Sequence, residues 1–277
     1  MKSILVHADG TAASAGRIRF AGELAVQHDA HLTALFAVTP PALDPSAAYA
    51  ASSVAVKLLL EAHERSKSSA RAALAATRAA TSVQAGWAEV EDGTAPLPAF
   101  IRQAHCTDLV VLGQEDTTLI GASQVPSDFV LSVILGSGRP AIVLPYTGAG
   151  TASNGTILVA WKPSAQAARA VAAAVPLLQC AREVHVASWG RNEAPGCQGE
   201  ALDIERYLRL HGVSATSHLE STAGDAIGEP MLSKAADVGA DLLVMGCYAH
   251  SRVRELVLGG ATRVVLRSMT VPVLMSH

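Results

Sequence analysis

Between Asp241 and Leu266 the chain carries residue types suited to holding an anion. Gly246-Cys-Tyr-Ala249-His250-Ser251-Arg252-Val-Arg254 is followed, after a short apolar stretch, by Gly259-Gly260-Ala261. Glycines let backbone N–H groups approach a phosphate closely and reach φ > 0 where a side chain would clash. A helix opening near Gly260 would add roughly half a positive charge at its N-terminus, where phosphates are readily bound. His250, Ser251, Arg252 and Arg254 would supply donors and charge. Each also has a plainer role: Gly259-Gly260 suits a tight loop-to-helix turn, and the arginines suit solvated surface.

Other chemistry has thinner support. Cys106, Cys180, Cys197 and Cys247 are far apart and form no CxxC pair. Cys247, directly after Gly246, is expected to be exposed in the loop, without a clear base beside it. The histidines are scattered; His63-Glu64 lacks the second histidine of a zinc-protease helix, and no His/Cys cluster has metal-ligand spacing. Walker A, GxGxxG and GxSxG patterns are absent, and no nucleophile and base are assembled. Dedicated catalysis is therefore not expected. Asp9 ends the first strand, where it could cap the next helix or touch a ligand. His7, within that strand, reads as a satisfied buried histidine. Trp87, Trp161 and Trp189 sit at or near strand ends, where packing is the default role.

The elements that must position these residues follow from the apolar pattern. Leu242 to Met245 reads as a buried strand, followed by the loop, a helix from Gly259-Gly260 and a last strand, Val271 to Met275. A worn copy lies at Asp108-Leu-Val-Val-Leu-Gly, Val130-Leu-Ser-Val-Ile-Leu and Pro140-Ala-Ile-Val-Leu. Likewise Ser3-Ile-Leu-Val-His-Ala-Asp matches Thr156-Ile-Leu-Val-Ala-Trp-Lys, and Ala-rich stretches follow both. A repeat at this spacing means two similar domains in tandem. Short Val/Leu/Ile runs alternate with amphipathic stretches at 53–80, 97–105, 199–211 and 227–238, which implies right-handed crossovers and a parallel sheet. The expected fold is α/β: two tandem open domains, 1–147 and 156–277, each a five-stranded parallel sheet with helices on both faces. Ligands would bind at the carboxyl ends of the strands. Tyr146 to Gly155 reads as the linker, and the proline-rich 39–56 stretch as an inserted loop.

A chain of 277 residues can hold two ordinary domains, and its 50% hydrophobic content with 4% aromatics means that Ala, Val and Leu fill the cores. A net charge of −3 gives no electrostatic reason to bind nucleic acid or an anionic membrane. No apolar run approaches the roughly 20 residues of a membrane span, and no signal peptide is visible. A cytoplasmic protein is expected. The last strands of the halves, 141–144 and 271–275, are apolar and would be exposed at sheet edges. Pairing between them as an intrachain pseudo-dimer, or in a homodimer, would cover them.

Together the strands, loop and repeat resemble a tandem universal stress protein over nearly the whole chain. Members of that family with a nucleotide site carry an Asp after the first strand. After the fourth strand they carry Gly, two residues, Gly, nine residues, then Gly followed by Ser or Thr. Here Gly246 and Gly259 match, Ala249 and Gly260 replace the second glycine and the hydroxyl residue, and the nine-residue interval 250–258 is intact. The resemblance implies an adenine nucleotide such as ATP, with Asp9 near the base and ribose. Lys162 takes the Asp position in the second half. After Gly113 the first half has Gln114-Glu115-Asp116. A carboxylate ~4 Å from a phosphate costs about 4 kcal/mol at an effective dielectric of 20. Neither half has the whole motif, and the second keeps more of its phosphate end. The alternative is a stress-response interaction module that works without nucleotide.

Overall fold

A strand covered on both faces needs an unbroken apolar run, and Ile4–Val6, Leu109–Leu112 and Ile142–Leu144 are such runs, at most 3% exposed. The computed structural model describes residues 1–39, 53–91, 93–115, 125–148, 150, 154–189, 202–221, 227–247, 249–250, 257–258 and 260–277. It divides into two compact units, Met1–Ala152 and Ser153–His277.

The first unit runs β1 (Ser3–Ala8), α1 (Ala12–Gln27), β2 (His31–Phe36), α2 (Ser53–Thr81), β3 (Ala85–Glu89), α3 (Pro96–Ala104), β4 (Leu109–Gly113), α4 (Phe129–Ser137) and β5 (Ala141–Leu144). Its strands lie in the order β3-β2-β1-β4-β5, all parallel. Right-handed crossovers that reverse direction at β1 put α1 and α2 on one face and α3 and α4 on the other. Consistent with that, α1 packs on α2, and α3 on α4.

The second unit repeats the plan: β6 (Thr156–Trp161), α5 (Ala165–Leu178), β7 (Glu183–Trp189), α6 (Ile204–Leu210), β8 (Thr216–Glu220), α7 (Gly228–Asp237), β9 (Leu242–Gly246), α8 (Gly260–Ser268) and β12 (Val273–Ser276). Its order is β8-β7-β6-β9-β12, again parallel. Between β9 and α8, β10 (Ala249–His250) and β11 (Val257–Leu258) form a short antiparallel pair, which the loop reading did not anticipate.

Polar locks recur at matching places. Asp108 Oδ2 accepts from the Lys2 and Ser3 amides at 2.5 and 3.1 Å, and Asp241 Oδ2 from the Thr156 amide at 2.8 Å. Each ties the start of a first strand to the fourth. Thr11 caps α1 by accepting from the Ser14 amide, and Ser164 caps α5 by accepting from Ala167, both at 3.2 Å. The stretch expected as a helix from Gly199 begins at Ile204, because Asp203 caps it by accepting from the Arg206 amide at 2.7 Å. Of the inserted loop expected at 39–56, residues 40–52 lie outside the described residues, and 53–56 are not loop but the first turn of α2.

Candidate functional site

In an open sheet of this order the crevice opens where connections diverge, at the carboxyl ends of β1 and β4 in the first unit and of β6 and β9 in the second. In the first unit that place is filled by Arg17, from the buried face of α1, with a side chain only 5% exposed. Its Nη2 donates to Asp9 Oδ2 at 2.7 Å and its Nε to the His7 carbonyl at 2.7 Å. Asp9 Oδ1 accepts from the Thr11 amide at 2.9 Å and from Thr11 Oγ1 at 2.5 Å. Asp9 is therefore not the helix cap: Thr11 takes that role, because the Asp9 carboxylate closes an Asx turn and pairs with Arg17.

His7 completes the cluster. Its ring is buried against Phe100 and Phe129, with Nε2 hydrogen-bonded to the Ala37 carbonyl at 2.9 Å. That bond requires the proton on Nε2, since a carbonyl only accepts. Burial, and then the Arg17 charge, push the His7 pKa down to about 4 against the opposing pull of Asp9 and the Ala37 bond. For Asp9, burial works to raise the pKa, but Arg17, His7 and the Thr11 bonds outweigh it and hold the carboxyl below its ordinary range. The result is a neutral imidazole beside a closed carboxylate–guanidinium pair.

Close approach at Gly113 completes the plug. A Cβ there would stand 2.1 Å from Arg17 Nη1, so the guanidinium crosses directly over the end of β4. Helix α2 also presses on the end of β1, since a Cβ at Gly10 would meet the Ser66 Cα at 2.4 Å. The sequence reading singled out Asp9 and passed over Arg17. A signal was available: Arg17 shares a helical stripe with Ala21 and Leu24, both buried.

The second unit changes the whole cluster. Where the first has His7, Asp9 and Arg17, it has Ala160, Lys162 and Ala170. Lys162 is exposed; its carbonyl accepts from Ser164 Oγ at 3.1 Å. Gly246 is buried at the end of β9, and a Cβ there would lie 2.6 Å from the Ala167 amide nitrogen. Glycine is thus required by the first turn of α5, whatever else the position does. Pairing of Ala249 with Leu258 brings the loop ends together ahead of Gly260, the first residue of α8. A side chain at Gly260 would enter open space, and Ala261 behind it is half-buried. Ser251, Arg252, Arg254 and Gly259 lie outside the described residues.

Cys247 was expected to be exposed and is wholly buried. The chain turns inward there because the Cys247 amide extends the β9 ladder, donating to the Ser276 carbonyl at 2.8 Å. Burial pushes its thiol up to about 11, with the Thr262 hydrogen bond pulling the other way, so it is not a ready nucleophile. Trp87 is only half-buried, with its ring stacked on Phe36 and the Arg71 guanidinium 5.2 Å from its centre. Among the described residues no helix is long and apolar enough to cross a membrane.

Comparison with known proteins locates this architecture. A universal stress protein of Archaeoglobus fulgidus DSM 4304 superposes with a TM-score of 0.70 at 18% identity, covering 99% of this chain and 97% of that one. A functionally unknown protein from Pseudomonas aeruginosa PAO1 gives 0.59 at 19% identity, covering 100% of this chain and 92% of that one. At such identities these likenesses show the fold. Universal stress protein Slr1230 of Synechocystis sp. is 34% identical over 92 residues, which are 33% of this chain and 31% of that relative. The match thus spans less than a third of that curated relative's length. The universal stress protein family model matches residues 1–127. Over those residues, somewhat less than half of its length, the chain is similar to the universal stress protein family.

Proposed function

We propose that this is a regulatory protein of the universal-stress type whose second unit binds an adenine nucleotide, ATP being the first candidate, while its first unit does not. The phosphates would meet Gly246, Ala249, His250, Ser251, Arg252, Gly259, Gly260 and Ala261, with Lys162 bordering the base side. One observation carries the asymmetry: Arg17 fills the first unit's crevice and neutralises Asp9, whereas Ala170 holds the matching place in the second. A methyl group cannot reach across a strand end as a guanidinium does. Gly260, with room around it, leaves its helix terminus accessible.

The activity proposed is binding, without a dedicated reaction, in the cytoplasm. Each unit would act as a domain, 1–147 and 156–277. The apolar last strands would pair within the chain or between two copies, and ultracentrifugation of the separately expressed halves, alone and mixed, tests this. Halves that stay monomeric and ignore one another would end that idea.

A second reading has its own support. The exposure of Lys162 and the packing of α5 on Gly246 suit an interaction module that uses no nucleotide. Calorimetry decides between them. ATP should bind the intact chain and Asp9→Ala alike, and should lose at least tenfold in affinity with Gly259→Asp, which sets a carboxylate against the phosphates. No heat with any adenine nucleotide favours the interaction module. Unchanged affinity in Gly259→Asp sinks the site assignment.

A further inference from the structure

At the far side of the second sheet, two histidines come together that sequence spacing could not connect. Register pairs His185 with Thr216 and Ala187 with His218, so the two rings face each other diagonally across β7 and β8. His185 Nδ1 lies 3.0 Å from His218 Nε2, with ring centres 5.1 Å apart. We infer that His185 and His218 form a two-histidine site for a divalent first-row transition-metal ion.

Geometry is the main argument. Two nitrogens bound to one ion at about 2.0–2.1 Å stand roughly 2.9 Å apart at a right-angle bite and about 3.3 Å apart at a tetrahedral one. The observed separation lies in that range; the ion would sit to one side of the line joining the nitrogens, so both rings, now joined by one hydrogen bond, would turn to aim their lone pairs at it. Glu183, two residues before His185 and on the same sheet face, has Oε2 3.7 Å from His185 Nε2. Such a carboxylate draws the proton to Nε2 and leaves Nδ1 as the lone-pair nitrogen, as carboxylates behind ligating histidines do.

Charge around the pair also permits a cation. Glu220 on β8 is bonded to Lys234 of α7 at 2.7 Å, so that lysine's charge is largely matched, and Glu183, whose other oxygen lies 3.8 Å from Arg182 Nε, places a second carboxylate beside the pair. Among the described residues no group of three or more His, Cys, Asp or Glu could hold a metal ion, so the two histidines would be its protein ligands and water would complete the shell. Imidazole ligands favour Cu²⁺ over Zn²⁺ and Ni²⁺ by the usual order of affinities.

Titration of the intact chain with Zn²⁺, followed by ring ¹H–¹⁵N NMR of the histidines, tests the site. Zn²⁺ should shift both His185 and His218 signals together, saturating at one ion per chain. Affinity should fall about tenfold or more from pH 7 to pH 5 as protons compete for the nitrogens. His185→Gln and His218→Gln should each cost at least tenfold, and Glu183→Gln about tenfold. Circular dichroism of the variants checks that they fold, and Cu²⁺ should displace Zn²⁺. Unmoved ring signals at saturating Zn²⁺, or His218→Gln binding as tightly as the parent, would overturn the inference.

Discussion

Replacing Arg17 by methionine keeps most of the volume and stem of the side chain but removes the charge that closes the first unit's crevice. The Asp9 carboxylate would then stay in place with a side chain only 14% exposed and no cation 2.7 Å away. Removing one partner of a buried ion pair typically costs about 3–5 kcal/mol, since the remaining charge keeps its desolvation penalty. At about 1.4 kcal/mol per factor of ten, that is roughly a hundred- to several-thousandfold in the unfolding equilibrium of this unit. Native-state hydrogen exchange can read it locally. The amides of Leu5, Val6, Val110 and Val111 should exchange faster by that factor, while those of Leu158, Val159, Leu243 and Val244 in the second unit should not change. The double variant Asp9→Asn/Arg17→Met should recover more than half of the loss, because it leaves no charge behind. Lowering the pH should also rescue the single variant as the stranded carboxyl takes up a proton. The parent behaves the other way. Its depressed Asp9 contributes stability above the ordinary carboxyl value near 4, lost as pH falls through the folded-state value. An exchange change below tenfold in Arg17→Met, or strict additivity in the double variant, would refute the plug.

His7 should make the first unit acid-sensitive at a milder pH. Its folded value of about 4 lies below the unfolded 6.5, so stability present above pH 6.5 is lost as pH falls to about 4, on the order of 3 kcal/mol. Urea unfolding at several pH values should show that slope, and His7→Gln should flatten it. In the second unit, Gly246→Ala should cost about 1–3 kcal/mol through overpacking against the first turn of α5, read from a lowered urea midpoint. Gly260→Ser, whose side chain enters open space, should leave stability within about 0.5 kcal/mol and strengthen ATP binding by restoring a hydroxyl.

The repeat, the alternation of strand and helix and the central strands of both sheets were legible from residue order alone. Their reason is local: a strand covered on both faces must be apolar at every position, as Leu109–Leu112 and Leu242–Met245 are. The edge strands β3 and β8 left no such trace, because partly exposed residues such as Trp87, Thr216 and His218 break the apolar run. The family resemblance pointed to Asp9, yet residue order could not say what Asp9 meets. Arg17 lies eight positions on, and only the packing of α1 against β1 and β4 turns it onto the carboxylate and over Gly113. Cys247 reads as a loop residue until the β9 ladder, extended to Ser276, draws it inside. His185 and His218 are 33 residues apart and meet through register. Apolar periodicity records which face of an element is covered. The partner of a buried charge is chosen by contacts between elements, and these exist only once the sheet has formed.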